Sequence, residues 1–311
     1  PILQHGPYRQ NAIFIEKNFN WGNMYNDLKT ALDSGYNRFY VGFYMANYGC
    51  QAGCAEWARL EESQRQNVKN LLSQYQNPWT NDTARIYLSV GGPGEFFEDC
   101  IEKDCASSFG QQAGAYAASM GFDGVDMDVK LAGEGTVHSP YADDGSFLDS
   151  VQKLSAGIRQ SGNYSREQMT LSSNAPYFSS NFYAQGLSQS ISTLALSSNQ
   201  DQPWAIYDCN LMMFNEDGNY MTETDIFFKN NYTDPVYGNF GIGSSAKEVF
   251  NLGMNVDQQA VIKPISINES TVRNGYVAPS TLHTWACDAH IDWGFQGGLG
   301  ILLRRMRRIL L

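Results

Sequence analysis

Residues 121–130 read Gly-Phe-Asp-Gly-Val-Asp-Met-Asp-Val-Lys, the stretch of the chain best equipped to do chemistry. Asp123, Asp126 and Asp128 fall within six residues of one another, in a run otherwise apolar enough for a buried strand. Side chains of a strand alternate between its two faces, so Asp126, Asp128 and Lys130 share one face and form a row that ends on a cation. Two carboxylates held away from water are costly: either one keeps its proton or a cation sits beside them. The row is therefore either a structural ion-paired element, with Lys130 as its cation, or an acid–base site.

The surrounding pattern says what positions it. Strand-like runs occur at 11–16, 37–44, 84–90, 124–128, 169–173, 207–214, 260–267 and 298–302, separated by longer helical stretches. Several, such as Phe39-Tyr40-Val41-Gly42-Phe43, are apolar throughout, as expected where both faces are covered. Helical periodicity is clearest at 23–33, where Met24, Leu28, Ala31 and Leu32 make one stripe and Gly35 follows as a stop. It recurs at 57–75, at 106–120 before Gly121, and at 146–159, where Ser146 and Asp149 have the spacing of a cap. Weaker patterns lie at 246–252 and 281–290. Strands alternating with helices imply a parallel sheet with crossover helices. Eight of them favour an α/β fold of the closed (β/α)8 TIM-barrel type over an open sheet. No linker or composition break divides the chain, so residues 1–311 are expected to form a single domain. Function in such barrels sits at the C-terminal ends of the strands, where Lys130 falls.

The segment from Asp123 resembles the D-G-x-D-x-D-x-E signature of glycoside hydrolase family 18, the chitinase-like family. Asp123, Gly124, Asp126 and Asp128 match their places, and Lys130 stands where the family has its glutamic acid. Ser89-Val90-Gly91-Gly92 resembles the S-x-G-G motif of the preceding strand, and 210–215 resembles the M-x-Y-D end of the sixth. Residues 297–302 stand where the family has G-G-x-M-x-W, with Leu302 in the tryptophan's place. The resemblance implies a barrel in which the missing glutamic acid would have protonated the glycosidic oxygen. The substrate's own acetamido group would have been the nucleophile, oriented by the residue that is Asp128 here. A general acid contributes roughly 10²–10⁴ in rate. Lysine, with an ordinary pKa of about 10.4 and carboxylates beside it, holds its proton too tightly to replace it. Phe214 and Asn215 replace a tyrosine and an aspartate of the family pattern. The expected function is that of a non-hydrolytic, lectin-like pseudoenzyme. Asp126, Asp128, Phe214, Asn215, Tyr44 and Trp204 would contact the glycan, with Tyr48 and Tyr177 as further cleft aromatics. The alternatives are a structural component of an extracellular assembly with a vestigial cleft, and a glycosidase with an acid relocated to Glu134, Glu95 or His138.

Composition narrows the partners. With 21 Lys and Arg against 32 Asp and Glu, the chain carries a net charge of −11, which excludes a phosphate-binding face of the usual kind and with it nucleic acid. Aromatic residues make up 13%, compatible with rings that stack on sugars. Six cysteines, Cys50, Cys54, Cys100, Cys105, Cys209 and Cys287, suggest disulfides: two local pairs, with Cys209–Cys287 left as a long-range one. Neither C-x-x-C nor a His pair at ligand spacing occurs, so no metal and no cofactor are expected. Asn81, Asn163, Asn231 and Asn268 head four N-x-S/T sequons, which with the cysteines point to a secreted, extracellular glycoprotein. No apolar run reaches the roughly 20 residues of a membrane span. The expected partner is a chitin-like or N-acetylglucosamine-containing glycan, or an extracellular structural protein.

Overall fold

The structure, a computed structural model, describes residues 8–15, 21–77, 80–92, 97–131, 145–174, 178, 191–212, 253–264, 284, 286–288, 290, 291 and 294–303. Its strands are β1 (Gln10–Ile15), β2 (Arg38–Met45), β3 (Gly49–Cys50), β4 (Arg85–Gly91), β5 (Gly124–Asp128), β6 (Met169–Asn174), β7 (Asp208–Met212), β8 (Gln259–Pro264) and β9 (Gly298–Leu303). All except β3 pair in parallel, and β1 pairs with both β2 and β9, so eight strands close into a barrel. Each of the eight expected strands is present, with ends shifted by a few residues at most. The two-residue β3, antiparallel to the end of β2, is an addition that its short apolar run did not signal.

The described helices are α1 (Met24–Asp33), α2 (Ala52–Arg59), α3 (Glu62–Ser73), α4 (Glu98–Glu102), α5 (Ala106–Ser119) and α6 (Ser146–Gly162). The single helix expected over 57–75 is two. Leu60 adopts extended backbone (φ −66°, ψ 141°), and Glu61 then opens α3 with a capping box to Gln64. The capping box at Glu61 outweighs one continuous amphipathic pattern. At α6 the cap position falls on Gly145 rather than Ser146. Residues 284, 286–288, 290 and 291 have helical backbone, and the expected helix at 246–252 lies outside the described residues.

Two cores follow from the alternation of strand side chains. Outward-facing Ile13, Phe39, Val41, Ile86, Leu88, Val125, Met127, Leu171 and Leu211 pack under the helices. Inside the barrel a smaller cluster, Ala12, Phe14, Tyr40, Tyr87, Met212, Ala260 and Ile262, fills the centre. The tight end of the closure is Gly298: a Cβ there would stand 1.5 Å from the Gln10 carbonyl oxygen of β1. Charge closes the N-terminal end of the barrel. Arg38 pairs with Asp82 at 2.7 Å, Arg9 pairs with Asp208, and the Tyr207 ring lies between the Arg9 and Arg166 guanidinium groups, each 4.9 Å from its centroid.

Candidate functional site

The row runs up β5 as the alternation requires. Asp126 is fully buried, Asp128 is 2% exposed, and the Lys130 side chain, just beyond the strand, is 12% exposed. Neighbouring strands supply the partners. Ser89 on β4 donates to Asp126 Oδ2 at 2.7 Å, and Ser172 on β6 donates to Oδ1 at 2.5 Å. Asn210 on β7 in turn donates to the Ser172 hydroxyl at 3.0 Å. Lys130 Nζ stands 3.6 Å from Asp128 Oδ1, an ion pair rather than a short hydrogen bond.

Gly91 and Gly92 let β4 close on the end of this row. Both have left-handed backbone, φ 93° and 104°, which only glycine adopts freely. A Cβ on Gly91 would stand 2.2 Å from the Asp128 carbonyl oxygen, and one on Gly92 would stand 2.4 Å from the Phe43 ring. The Gly92 amide donates to that same carbonyl at 2.9 Å. The S-x-G-G stretch thus supplies a hydroxyl for Asp126 and a backbone clamp for Asp128.

Burial, and secondarily the neighbouring Asp128, push the Asp126 carboxyl up to about 8, against the weaker opposing pull of the serine hydroxyls and Lys130. Burial also raises Asp128, with Lys130 opposing it. The arrangement that buries least charge puts a proton on Asp126 and leaves Asp128 ionised against the Lys130 ammonium, so the row is neutral as a whole. With the proton on Asp126, one of these two contacts reverses, the carboxyl donating to one serine hydroxyl while accepting from the other. The group of the row nearest the barrel mouth is a cation.

The other expected site residues divide by location. Asp123 lies at the opposite, N-terminal end of β5, where it accepts from the Ile86 amide at 2.9 Å and pairs with Lys69. Its work is to fix the start of the strand. Tyr44 does not enter the barrel: it packs on Phe109 and Tyr116 of α5, with centroids 6.3 and 4.9 Å away. The cause is a register shift between Gly42 and Tyr44, which inserts a residue and reverses the alternation. Phe43 instead lies against Gly92. Trp204 precedes β7 and so belongs to the N-terminal end, where its carbonyl accepts from Ser155 of α6 at 2.8 Å. Tyr48, 70% exposed, sits in the turn before β3. Phe214, Asn215, Tyr177, Glu95, Glu134 and His138 lie outside the described residues, as does the side chain of Leu302.

Ser89, Ser172 and Asn210 were not singled out as site residues from sequence. Parity was the available signal, since all three fall on the inward face of their strands: β4 and β6 adjoin β5, and β7 lies one strand further.

Cys50–Cys54 and Cys100–Cys105 are bridged, but Cys209 and Cys287 are not joined to each other. Cys209 is buried on the outward face of β7, its thiol pushed up by burial, while Cys287 faces the Tyr8 hydroxyl. Asn81 and Asn163 are exposed, and Asn231 and Asn268 lie outside the described residues. Among the described residues no cluster of three or more His, Cys, Asp or Glu could hold a metal ion, and no helix is long and apolar enough to cross a membrane.

No protein-family model matches the chain. Its fold is that of solved chitinases at low identity. A glycoside hydrolase family 18 chitinase from Pseudoalteromonas aurantia superposes with a TM-score of 0.63 at 13% identity, covering 94% of each chain. A chitinase from Bacteroides thetaiotaomicron gives 0.53 at 11%, covering 94% of this chain and 88% of the other. Concanavalin B gives 0.51 at 11%, covering 97% and 94%. The shared architecture is the closed (β/α)8 barrel.

Proposed function

We propose that this chain is a secreted, chitinase-like pseudoenzyme whose barrel mouth binds a glycan of the N-acetylglucosamine type without hydrolysing it. The observation that carries the reading is Lys130. It ends the Asp126–Asp128 row where the resemblance gives the catalytic acid, and it stands 3.6 Å from Asp128 Oδ1. The chemistry that orients an acetamido group would then be retained in Asp128, while the chemistry that breaks the bond is lost. Two bridged cysteine pairs support an oxidising, extracellular setting.

The test is binding and turnover of chitin oligosaccharides by the purified protein and by Lys130→Glu. Binding by the native protein without released product is the expected outcome. Product release by the native protein would overturn the pseudoenzyme reading, and absence of binding would overturn the lectin reading. Gain of cleavage in Lys130→Glu would identify this position as the one missing part.

A second reading, a structural component with a vestigial cleft, draws on Tyr44 and Trp204. Tyr44 is committed to α5 and Trp204 to the far end of the barrel, so neither supplies a sugar-stacking ring at the mouth.

A further inference from the structure

Two of the four sequons fall on described residues, and the fold brings them to the same end of the barrel. Asn81 lies four residues before β4 begins, and Asn163 follows the last residue of α6, six before β6. Both side chains are exposed. Both residues have left-handed backbone, φ 60° and 54°, a conformation asparagine tolerates at tight loop tips. Their surroundings fix the end to which they belong. Next to Asn81, Asp82 pairs with Arg38 at the start of β2. Next to Asn163, Tyr164 donates to the Phe122 carbonyl, just before β5, at 3.1 Å. Since β4 and β6 flank β5, the two asparagines stand below the strands on either side of the one that carries the row. Seven residues separate Asp123 at the bottom from Lys130 at the top, about 20 Å of extended chain.

We propose that Asn81 and Asn163 are sites of N-linked glycosylation, so that carbohydrate at these two positions coats the N-terminal end of the barrel, the end opposite Asp128 and Lys130. In the transfer, the asparagine amide nitrogen attacks the anomeric carbon of an oligosaccharide carried on a lipid pyrophosphate. A carbon–nitrogen bond forms, the carbon–oxygen bond to pyrophosphate breaks, the amide loses one proton, and the lipid pyrophosphate departs. The hydroxyls two residues on, Thr83 and Ser165, complete the acceptor pattern. In the folded chain the neighbours are committed inward: Asp82 to its arginines and buried Tyr164 to Phe122. Both asparagines are exposed, so each can carry a large group without displacing packed atoms. The assignment of the two sites rests on the secretory part of the proposed function, and the test of their distance from the mouth rests on its sugar-binding part.

The experiment is secretion of the full chain from a eukaryotic host, followed by amidase release of glycans in heavy-oxygen water and peptide mapping. Heavy-oxygen-labelled aspartate is expected at both positions. Recovery of either peptide from secreted protein chiefly as plain asparagine would overturn the assignment for that site. Asn81→Gly and Asn163→Gly remove the acceptors while keeping residues that accept positive φ, so loss of glycan is separable from loss of fold. The double variant is expected to lack both labelled peptides and to bind chitin oligosaccharides within about twofold of the native protein. A larger loss of binding with the fold intact would show that the glycans reach the mouth, against the placement argued here.

Discussion

A carboxyl group deep in a barrel must either find a counter-charge or keep its proton, and Asp126 illustrates the second course. Its carboxyl is raised from an ordinary value of 3.8 to about 8, chiefly by burial. The consequence for stability has a definite sign. A group with a raised folded-state pKa contributes most below its unfolded value, and that contribution is lost as pH rises from about 4 through about 8. Above that range the native state must hold two buried carboxylates against the Lys130 ammonium. Each unit of raised pKa corresponds to about 1.4 kcal/mol, so the loss across the window is several kcal/mol. Melting temperature is therefore expected to fall by several degrees between pH 6 and pH 9, after allowance for the chain's other titrations. In Asp126→Asn, which keeps a donor and an acceptor for Ser89 and Ser172, this fall should flatten, and the variant should overtake the native protein at the alkaline end. Thermal melts across that range decide it; parallel curves for the two proteins would show that Asp126 does not hold the proton.

At the scale of elements, the loops after the strands decide what the row can face. The end of β2 turns back as β3 and enters α2, and the Cys50–Cys54 bridge spans that corner. Tyr116 of α5 donates to Cys50 Sγ at 3.1 Å and packs against Tyr44 with rings tilted by 31°, so the bridge belongs to the packing that draws Tyr44 outward. The corner does not depend on the bridge alone, because Phe43 and Gln51 exchange two backbone hydrogen bonds of 3.1 and 2.8 Å. A bridge closing so short a loop is worth about 2 kcal/mol in unfolded-state entropy. Replacing both cysteines by alanine should lower the unfolding free energy by about that much, measured by denaturant titration, with sugar binding unchanged. A loss beyond about 4 kcal/mol would mean that the bridge holds the native corner itself.

The same corner marks where reading the sequence stops short. Strands such as Phe39–Phe43 were legible because uniformly apolar runs of that length have few other uses in a soluble chain, and the Asp126–Asp128–Lys130 face followed from alternation alone. An inserted residue between Gly42 and Tyr44 leaves no mark in composition, and it turned the expected cleft tyrosine to the outside. The break at Leu60 was hidden because α2 and α3 continue one polar–apolar pattern across it. Trp204 was misplaced for a different reason. It precedes its strand, and the rule that sites lie after strands already assigned it to the other end.

The molecule as a whole depends on closure. An open sheet would leave β1 and β9 as edges; here they pair along their full length, Gln10 with Gly298 through Ile15 with Leu303. That pairing keeps Asp126 away from water, because the interior cluster of Ala12, Phe14, Tyr40, Tyr87, Met212, Ala260 and Ile262 is enclosed only when the ring is complete. The site on β5 is thus hostage to a contact on the far side of the barrel. Gly298→Ala tests this directly: its methyl would stand 1.5 Å from the Gln10 carbonyl oxygen, backbone that has nowhere to retreat within a paired strand. The variant is expected to lose several kcal/mol and to unfold at much lower denaturant, with sugar binding and the β5 amides' exchange protection lost in the same transition. Gly121→Asn is the matched control, since a Cβ at that residue meets nothing within 4 Å and asparagine tolerates its φ of 76°. It should cost less than about 1 kcal/mol. If Gly298→Ala left β5 protected while β1 and β9 exchanged freely, the barrel would be divisible, and the buried proton on Asp126 would need only its neighbouring strands.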